Sequence, residues 1–118
     1  KEQSDSIVLR CKSGVARIGL KELEYCEVIH RTLFFHLTSG KVLESIGSLD
    51  DLGAQLKPYQ CFLRSHRSYL VNLEYVRNIS ARAVTMSCLT EIPLPRGKYN
   101  EVKDAYLDYA FRNRRVMV

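Results

Sequence analysis

Phe62-Leu63-Arg64-Ser65-His66-Arg67-Ser68-Tyr69-Leu70-Val71-Asn72 is polar and basic in its front half and apolar in its back half. The back half reads as a strand, because aromatic and β-branched side chains suit a pleated, half-buried surface. Alternation along that strand puts Tyr69 and Val71 on one face and presents Arg67 and Ser68 at the strand entry. Phosphate recognition needs a guanidinium on a rigid mount beside hydroxyl or backbone donors, and this stretch supplies them. The residues alone leave two readings open. One is a phosphate-binding mount, the other a surface loop whose arginines are only solvated.

On both sides of this stretch, short apolar runs recur about every ten residues, separated by Gly, Ser, Asn or charged breaks. Residues 6–12 and 15–20 flank Ser13-Gly14, a hairpin signal. Residues 23–29 and 33–37 are separated by His30-Arg31-Thr32, and Thr38-Ser39-Gly40-Lys41 turns the chain into residues 42–46. Further strands are expected at 69–71, 76–79, 83–86 and 91–94. Two segments carry helical spacing instead. In residues 48–56, Leu49, Leu52 and Leu56 share one helical face, Ser48 can cap the start with Asp51 at the third position, and Pro58 stops the helix. From about Gly97 to Phe111, residues Val102, Ala105, Tyr106, Tyr109 and Ala110 recur at helical spacing. Arg112, Arg114 and Arg115 follow, where the helix dipole favours cations. The expected fold is mainly β, with one short internal helix and a C-terminal helix.

At 118 residues the chain has the size of one domain and can bury a sizeable core. No apolar run approaches the roughly 20 residues that span a bilayer. The first six residues, Lys-Glu-Gln-Ser-Asp-Ser, lack the apolar core of a secretory signal and read as a linker or chain boundary, with the domain over 7–118. A cytoplasmic location and no membrane partner are therefore expected. Cys11, Cys26, Cys61 and Cys88 form no C-x-x-C pair and have no His at zinc-finger spacing, so buried free thiols are expected and no metal or other cofactor.

The net charge is +5, and its distribution says more than its size. Residues 1–59 hold eight Lys/Arg and eight Asp/Glu, whereas residues 60–118 hold ten and five and carry the whole excess. Between Gln60 and Lys98 the basic residues are Arg64, Arg67, Arg77, Arg82, Arg96 and Lys98, against Glu74 and Glu91. Arginine grips phosphates and guanine edges with two parallel bonds, so an anionic partner is implied. Catalysis finds no support. There is no G-x-S-x-G elbow, Walker A loop, G-x-G-x-x-G or H-E-x-x-H. Cys61 and His66, with Ser65 and Ser68 beside His66, lack the third orienting group and the oxyanion site that a nucleophilic pair needs.

The run F-L-R-S-H-R-S-Y-L-V-N resembles the F-x-R-x-H-x-S-y-l-V-N core of the LytTR family. Leu23-Glu24-Tyr25-Cys26-Glu27 resembles that family's I-x-y-i-E element, and residues 30–37 its variable tip and following strand. Thr38-Ser39-Gly40-Lys41 is similar to the hairpin that leads to the s-L-x-x-L helix, here Ser48-Leu49-Asp50-Asp51-Leu52. Ile92-Pro93-Leu94-Pro95-Arg96 resembles the i-P-v-s-R ending, with a helix after it. The match covers residues 7–111, and an ordered series of motifs at the right distances is more specific than any one of them.

This resemblance implies an elongated stack of small β-sheets that binds double-stranded DNA through loops entering successive major grooves. It implies the output domain of a two-component transcription regulator, with an N-terminal receiver domain outside this chain and promoter direct repeats bound by paired copies or a homodimer. By position, the base-contacting tip residue is His30 or Arg31, Arg67 meets phosphate with Ser68 beside it, and Arg96 reaches a base edge. Arg96 also suits the task physically, since Pro95 stiffens its approach while Gly97 and the following helix start leave backbone donors free. Lys98 is a phosphate neighbour of Arg96, and Arg64 is either a phosphate contact or a structural ion pair. His66 is expected to hydrogen-bond beneath its loop, and His36 to lie on the polar face of its strand. The rivals are a non-catalytic module for RNA or single strands and a protein-interaction domain that has lost DNA binding. The first needs exposed aromatics for stacking, whereas Phe34, Phe35 and Tyr69 read as core residues and Tyr99, Tyr106 and Tyr109 as helix packing.

Overall fold

Strand β3 (Leu23–Ile29) is buried on both faces over its first half, and the rest of the molecule is arranged around it. The computed structural model describes residues 5–113. β3 lies at the centre of a five-stranded antiparallel sheet in the order β5–β4–β3–β7–β6. Its partners are β4 (Thr32–Leu37), β5 (Val42–Ile46), β6 (Phe62–His66) and β7 (Tyr69–Asn72). Phe35, Cys26 and Leu70 stand opposite one another across three strands, and His36, Tyr25 and Val71 form the adjacent row. Because side chains alternate along a strand, the two rows point to opposite faces.

The first face is covered by the hairpin of β1 (Ser6–Cys11) and β2 (Gly14–Gly19) and by α1 (Leu49–Leu56). Leu9, Ile18, Leu49, Leu52 and Leu56 join Cys26, Phe35 and Leu70 there. The second face is covered in part by a three-stranded sheet, β8 (Val76–Ile79), β9 (Ala83–Met86) and β10 (Glu91–Pro93), and by α2 (Tyr99–Asn113). Val76, Val84, Met86, Ile92 and Val102 join Tyr25 and Val71 in this second core. Each fully buried aliphatic contributes about 1.5–3 kcal/mol, so a chain of this size sustains both cores without cross-links. The four thiols are free. Cys26 is buried, and desolvation pushes its thiol up to about 12, so it stays neutral.

Most boundaries follow the patterning, and the departures have local causes. Ser48 Oγ accepts a hydrogen bond from Asp51 N at 3.1 Å, the cap that α1 requires. The first hairpin turns at Lys12-Ser13, one residue earlier than expected, and Gly14 with φ of 134° already pairs with Cys11. α2 starts at Tyr99 and not at residue 97, because Gly97 has φ of 85° and cannot belong to a right-handed helix. Val102 and Ala110 are buried along α2, with Tyr99, Tyr106 and Tyr109 packed against the second core. Arg114 and Arg115 lie outside the described residues. The polar front half of the 62–72 stretch is itself a strand, β6, because Phe62 and Leu63 reach the first and second cores respectively. Cys88 is exposed, contrary to expectation, on the turn between β9 and β10. Among the described residues no helix is long and apolar enough to cross a membrane.

His36 alternates with Phe35 and Leu37 as expected and lies half-buried on the opposite sheet face. There it stacks on Tyr25, with ring centroids 4.2 Å apart and planes at 10°. Desolvation lowers its pKa, outweighing the attraction of Glu27 and Glu24. Above the ordinary histidine value of about 6.5, folded and unfolded chains are both neutral here and His36 adds no pH dependence. As pH falls through that value the unfolded chain takes up the proton first, so stability is lost on the acid side. Denaturant titrations should show stability declining as pH falls from about 7.5 to 5.5, with part of the decline absent in His36→Gln. An identical slope in the variant contradicts the half-buried, stacked neutral imidazole.

Candidate nucleic-acid interface

The turn between β3 and β4 consists of His30 and Arg31, closed by the pair Ile29 and Thr32. Their φ values are 49° and 67°, the left-handed pair that a two-residue type I′ hairpin requires. Asn and Gly fill such turns cheaply, whereas a left-handed residue with a larger side chain costs roughly 1–2 kcal/mol. The strand geometry imposes the turn, and Gly47 N donates to Arg31 O at 2.9 Å to hold it from the side. Both side chains are exposed.

The turn between β6 and β7 consists of Arg67 and Ser68, and it is held differently. Leu63 pairs with Val71 and His66 with Tyr69, so Arg64 and Ser65 together oppose the single Leu70. Such a two-against-one bulge re-aims side chains. Arg64 Nη1 donates to Asp50 Oδ1 at 2.8 Å, Nη2 to Arg67 O at 2.8 Å and Nε to His66 O at 3.2 Å. Its guanidinium thus ties the turn's own backbone to α1. His66 Nδ1 accepts from Ser68 N at 3.0 Å, and the ring meets Tyr69 edge-on at 5.6 Å. Arg67 projects into solvent from this braced loop. Val28 N donates to Ser68 O at 3.0 Å, which stitches the turn to β3 just before His30. The His30–Arg31 and Arg67–Ser68 tips therefore share one end of the central sheet.

Arg96 comes from the other layer. It lies exposed between β10 and α2, where Lys98 N donates to Pro95 O at 3.1 Å and Val102 N to Lys98 O at 3.1 Å. Lys98 Nζ is 3.1 Å from Glu101 Oε2, so its charge is partly spoken for. Leu94 N donates to Arg82 O at 2.8 Å, which fastens this loop to the exposed turn between β8 and β9. Arg82 is thereby placed beside the Arg96 loop. The sequence counts it in the basic excess without assigning it a place, since the only signal is a pairing of β9 with β10 that local pattern does not carry. Among the described residues Arg31, Arg67, Arg82 and Arg96 have no ion-pair partner.

Phe35 is buried, and Tyr69 donates its hydroxyl to Glu27 Oε2 at 3.0 Å. Burial and that carboxylate push the Tyr69 hydroxyl up to about 12, so it remains a donor. Phe34 is not a core residue as expected but lies half-buried on the second face of the sheet. Among the described residues no three His, Cys, Asp or Glu side chains converge to hold a metal ion.

The chain matches the LytTr DNA-binding domain family over residues 13–106. It is 29% identical over 75 residues to the transcriptional regulatory protein NatR of Bacillus subtilis (strain 168). That match takes in 64% of this chain and 31% of NatR, so the chain spans under a third of that relative's length. The fold resembles the solved LytTr DNA-binding domain of a Bacillus cereus response regulator, with a TM-score of 0.70 at 19% identity. The likeness covers 90% of this chain and 98% of that one and establishes the shared arrangement of small antiparallel sheets with a C-terminal helix. On these matches the chain belongs to the LytTR DNA-binding domain family.

Proposed function

We propose that this domain binds specific sequences in double-stranded DNA as the output module of a bacterial transcription regulator, with a receiver domain elsewhere in the full-length protein. The observation that carries the reading is a set of exposed guanidiniums on short braced turns, without ion-pair partners among the described residues and two of them on one end of the central sheet. A two-residue hairpin tip is narrow enough to enter a major groove about 12 Å wide. His30 and Arg31 read bases from the first tip, Arg67 and Ser68 meet phosphate beside it, and Arg96 reads a base edge from the second layer with Arg82 and Lys98 near its flanking backbone. Arg64 serves by holding Arg67, since all three of its guanidinium nitrogens already donate within the protein. The target is a pair of direct repeats bound by two copies. Comparing duplex with single-stranded oligonucleotides at matched salt tests the choice of partner, and stronger binding to single strands contradicts it.

The strained first tip separates stability from function. Replacing His30 with Asn and Arg31 with Gly should raise the unfolding free energy by about 1–2 kcal/mol while lowering affinity for the selected duplex. Destabilisation, or unchanged binding, contradicts this account of the turn.

The arginines should also divide by salt dependence. Arg67→Gln should weaken binding to all duplexes and reduce the slope of log affinity against log salt by about one. Arg64→Gln should weaken binding through a loosened turn and leave that slope in place. Arg96→Lys keeps the charge but loses bidentate geometry, so it should flatten preference at one or two base pairs, a loss of about 1–3 kcal/mol against the preferred site. Full preference retained in Arg96→Lys rules out direct readout by that loop.

A further inference from the structure

Among the described residues seven large apolar side chains are exposed, and five of them fall on two flat β surfaces. The outer face of the β1–β2 hairpin sets Val8 opposite Arg17 and Val15 opposite Arg10. Val8 is 64% exposed and Val15 74%, while their strand neighbours Ile7, Leu9 and Ile18 face the first core. The other surface is the part of the second sheet face left outside the second core. There Ile46, Thr32 and Ile29 form one cross-strand row, and Glu44, Phe34 and Glu27 the next. Ile46 is 82% exposed, with Ile29 and Val42 near half. Single apolar residues on a surface need no explanation, but contiguous ones mark contact sites.

The two surfaces differ in sign. The hairpin face carries Arg10 and Arg17, neither with an ion-pair partner among the described residues. The sheet face carries exposed Glu44 and half-buried Glu27. Both reach the same end of the molecule as the first reading tip. Ser45 Oγ donates to Arg10 O at 2.8 Å, which sets the hairpin beside the end of β5, and Gly47 N donates to Arg31 O. Ile29 and Thr32 directly flank His30 and Arg31.

We propose that the β1–β2 hairpin of one copy docks on the bare sheet face around Phe34 of a second copy, in a head-to-tail contact between domains on neighbouring DNA sites. The valines pack on Ile29, Phe34 and Ile46 while Arg10 and Arg17 meet Glu44. Different patches meet, so the contact is heterologous and pairs sites in the same orientation. Each patch is on the order of a few hundred Å², and the pair falls short of the roughly 1,000 Å² that a stable free dimer needs. DNA supplies the missing proximity by holding the copies at high effective concentration. This inference rests on the DNA-binding reading above.

The test uses mobility shifts on duplexes carrying one copy of the selected site, two in the same orientation or two inverted. The second copy should bind the same-orientation pair roughly tenfold more tightly than an isolated site. Arg10→Glu with Arg17→Glu should abolish that gain, as should Glu44→Arg, each with single-site affinity unchanged, and the combined variant should restore it. Cooperativity that survives the reversals overturns the proposal, as does a preference for inverted sites. Loss of single-site affinity in the arginine variant overturns it too, because the hairpin then touches DNA. Failure of the unaltered domain to bind a single site refutes the DNA reading alone. Sedimentation of concentrated domain without DNA then decides the contact, which predicts weak self-association that the arginine reversal removes.

Discussion

The constraint on which the structure depends is that β7 and the first half of β3 are covered on both faces. Cys26 and Leu70 feed one core while their chain neighbours Tyr25 and Val71 feed the other. A slip of one residue in the register of either strand would exchange the two sets, so the register is strongly specified. That specification reaches the turns. At the tip end Val28 still packs on the first core and Val28 N donates to Ser68 O, so the tips of β3 and β7 inherit a defined position instead of moving as loops.

Polar groups secure what apolar packing leaves undetermined. Asn72 is buried, donates to Leu23 O at 2.9 Å and accepts from Glu74 N at 2.9 Å, joining the end of β7 to the start of β3. Glu24 is buried as well and accepts from Cys88 N at 3.0 Å, which anchors the turn between β9 and β10 to the central sheet. Such hydrogen bonds offset the cost of burying these groups. The half-buried Arg64 adds to this bracing, since its guanidinium shapes the loop from which Arg67 projects. The motif F-x-R-x-H-x-S thus divides into residues that build the loop and one residue that the loop displays.

Much of this was legible along the chain. The alternating runs located the hairpins, and the leucine spacing with Ser48 and Pro58 located α1 within a residue. What escaped was whatever depends on a distant partner. Phe62–His66 is polar enough to pass for a loop, and it becomes a strand only because Phe62 and Leu63 meet separate cores. The face of His36 follows from alternation, but its stacking on Tyr25 of the neighbouring strand does not. The place of Arg82 depends on β9 pairing with β10, and the choice between the two readings of Arg64, phosphate contact or ion pair, on Asp50, fourteen residues away. The order of candidate contacts along the sequence was readable, whereas their division between two layers was not.

On the proposed function DNA meets preformed tips, with strain at His30 and Arg31 retained because those side chains are displayed there. An amide-resolved NMR titration of the domain with a duplex carrying its selected site addresses this directly. The largest shifts should fall at His30, Arg31, Arg67, Ser68, Arg82, Arg96 and Lys98, with Tyr25, Cys26, Leu70 and Val71 nearly unmoved. Shifts centred instead on the cleft lined by Tyr59, Tyr75 and Tyr109, or spread through the two cores, would contradict it.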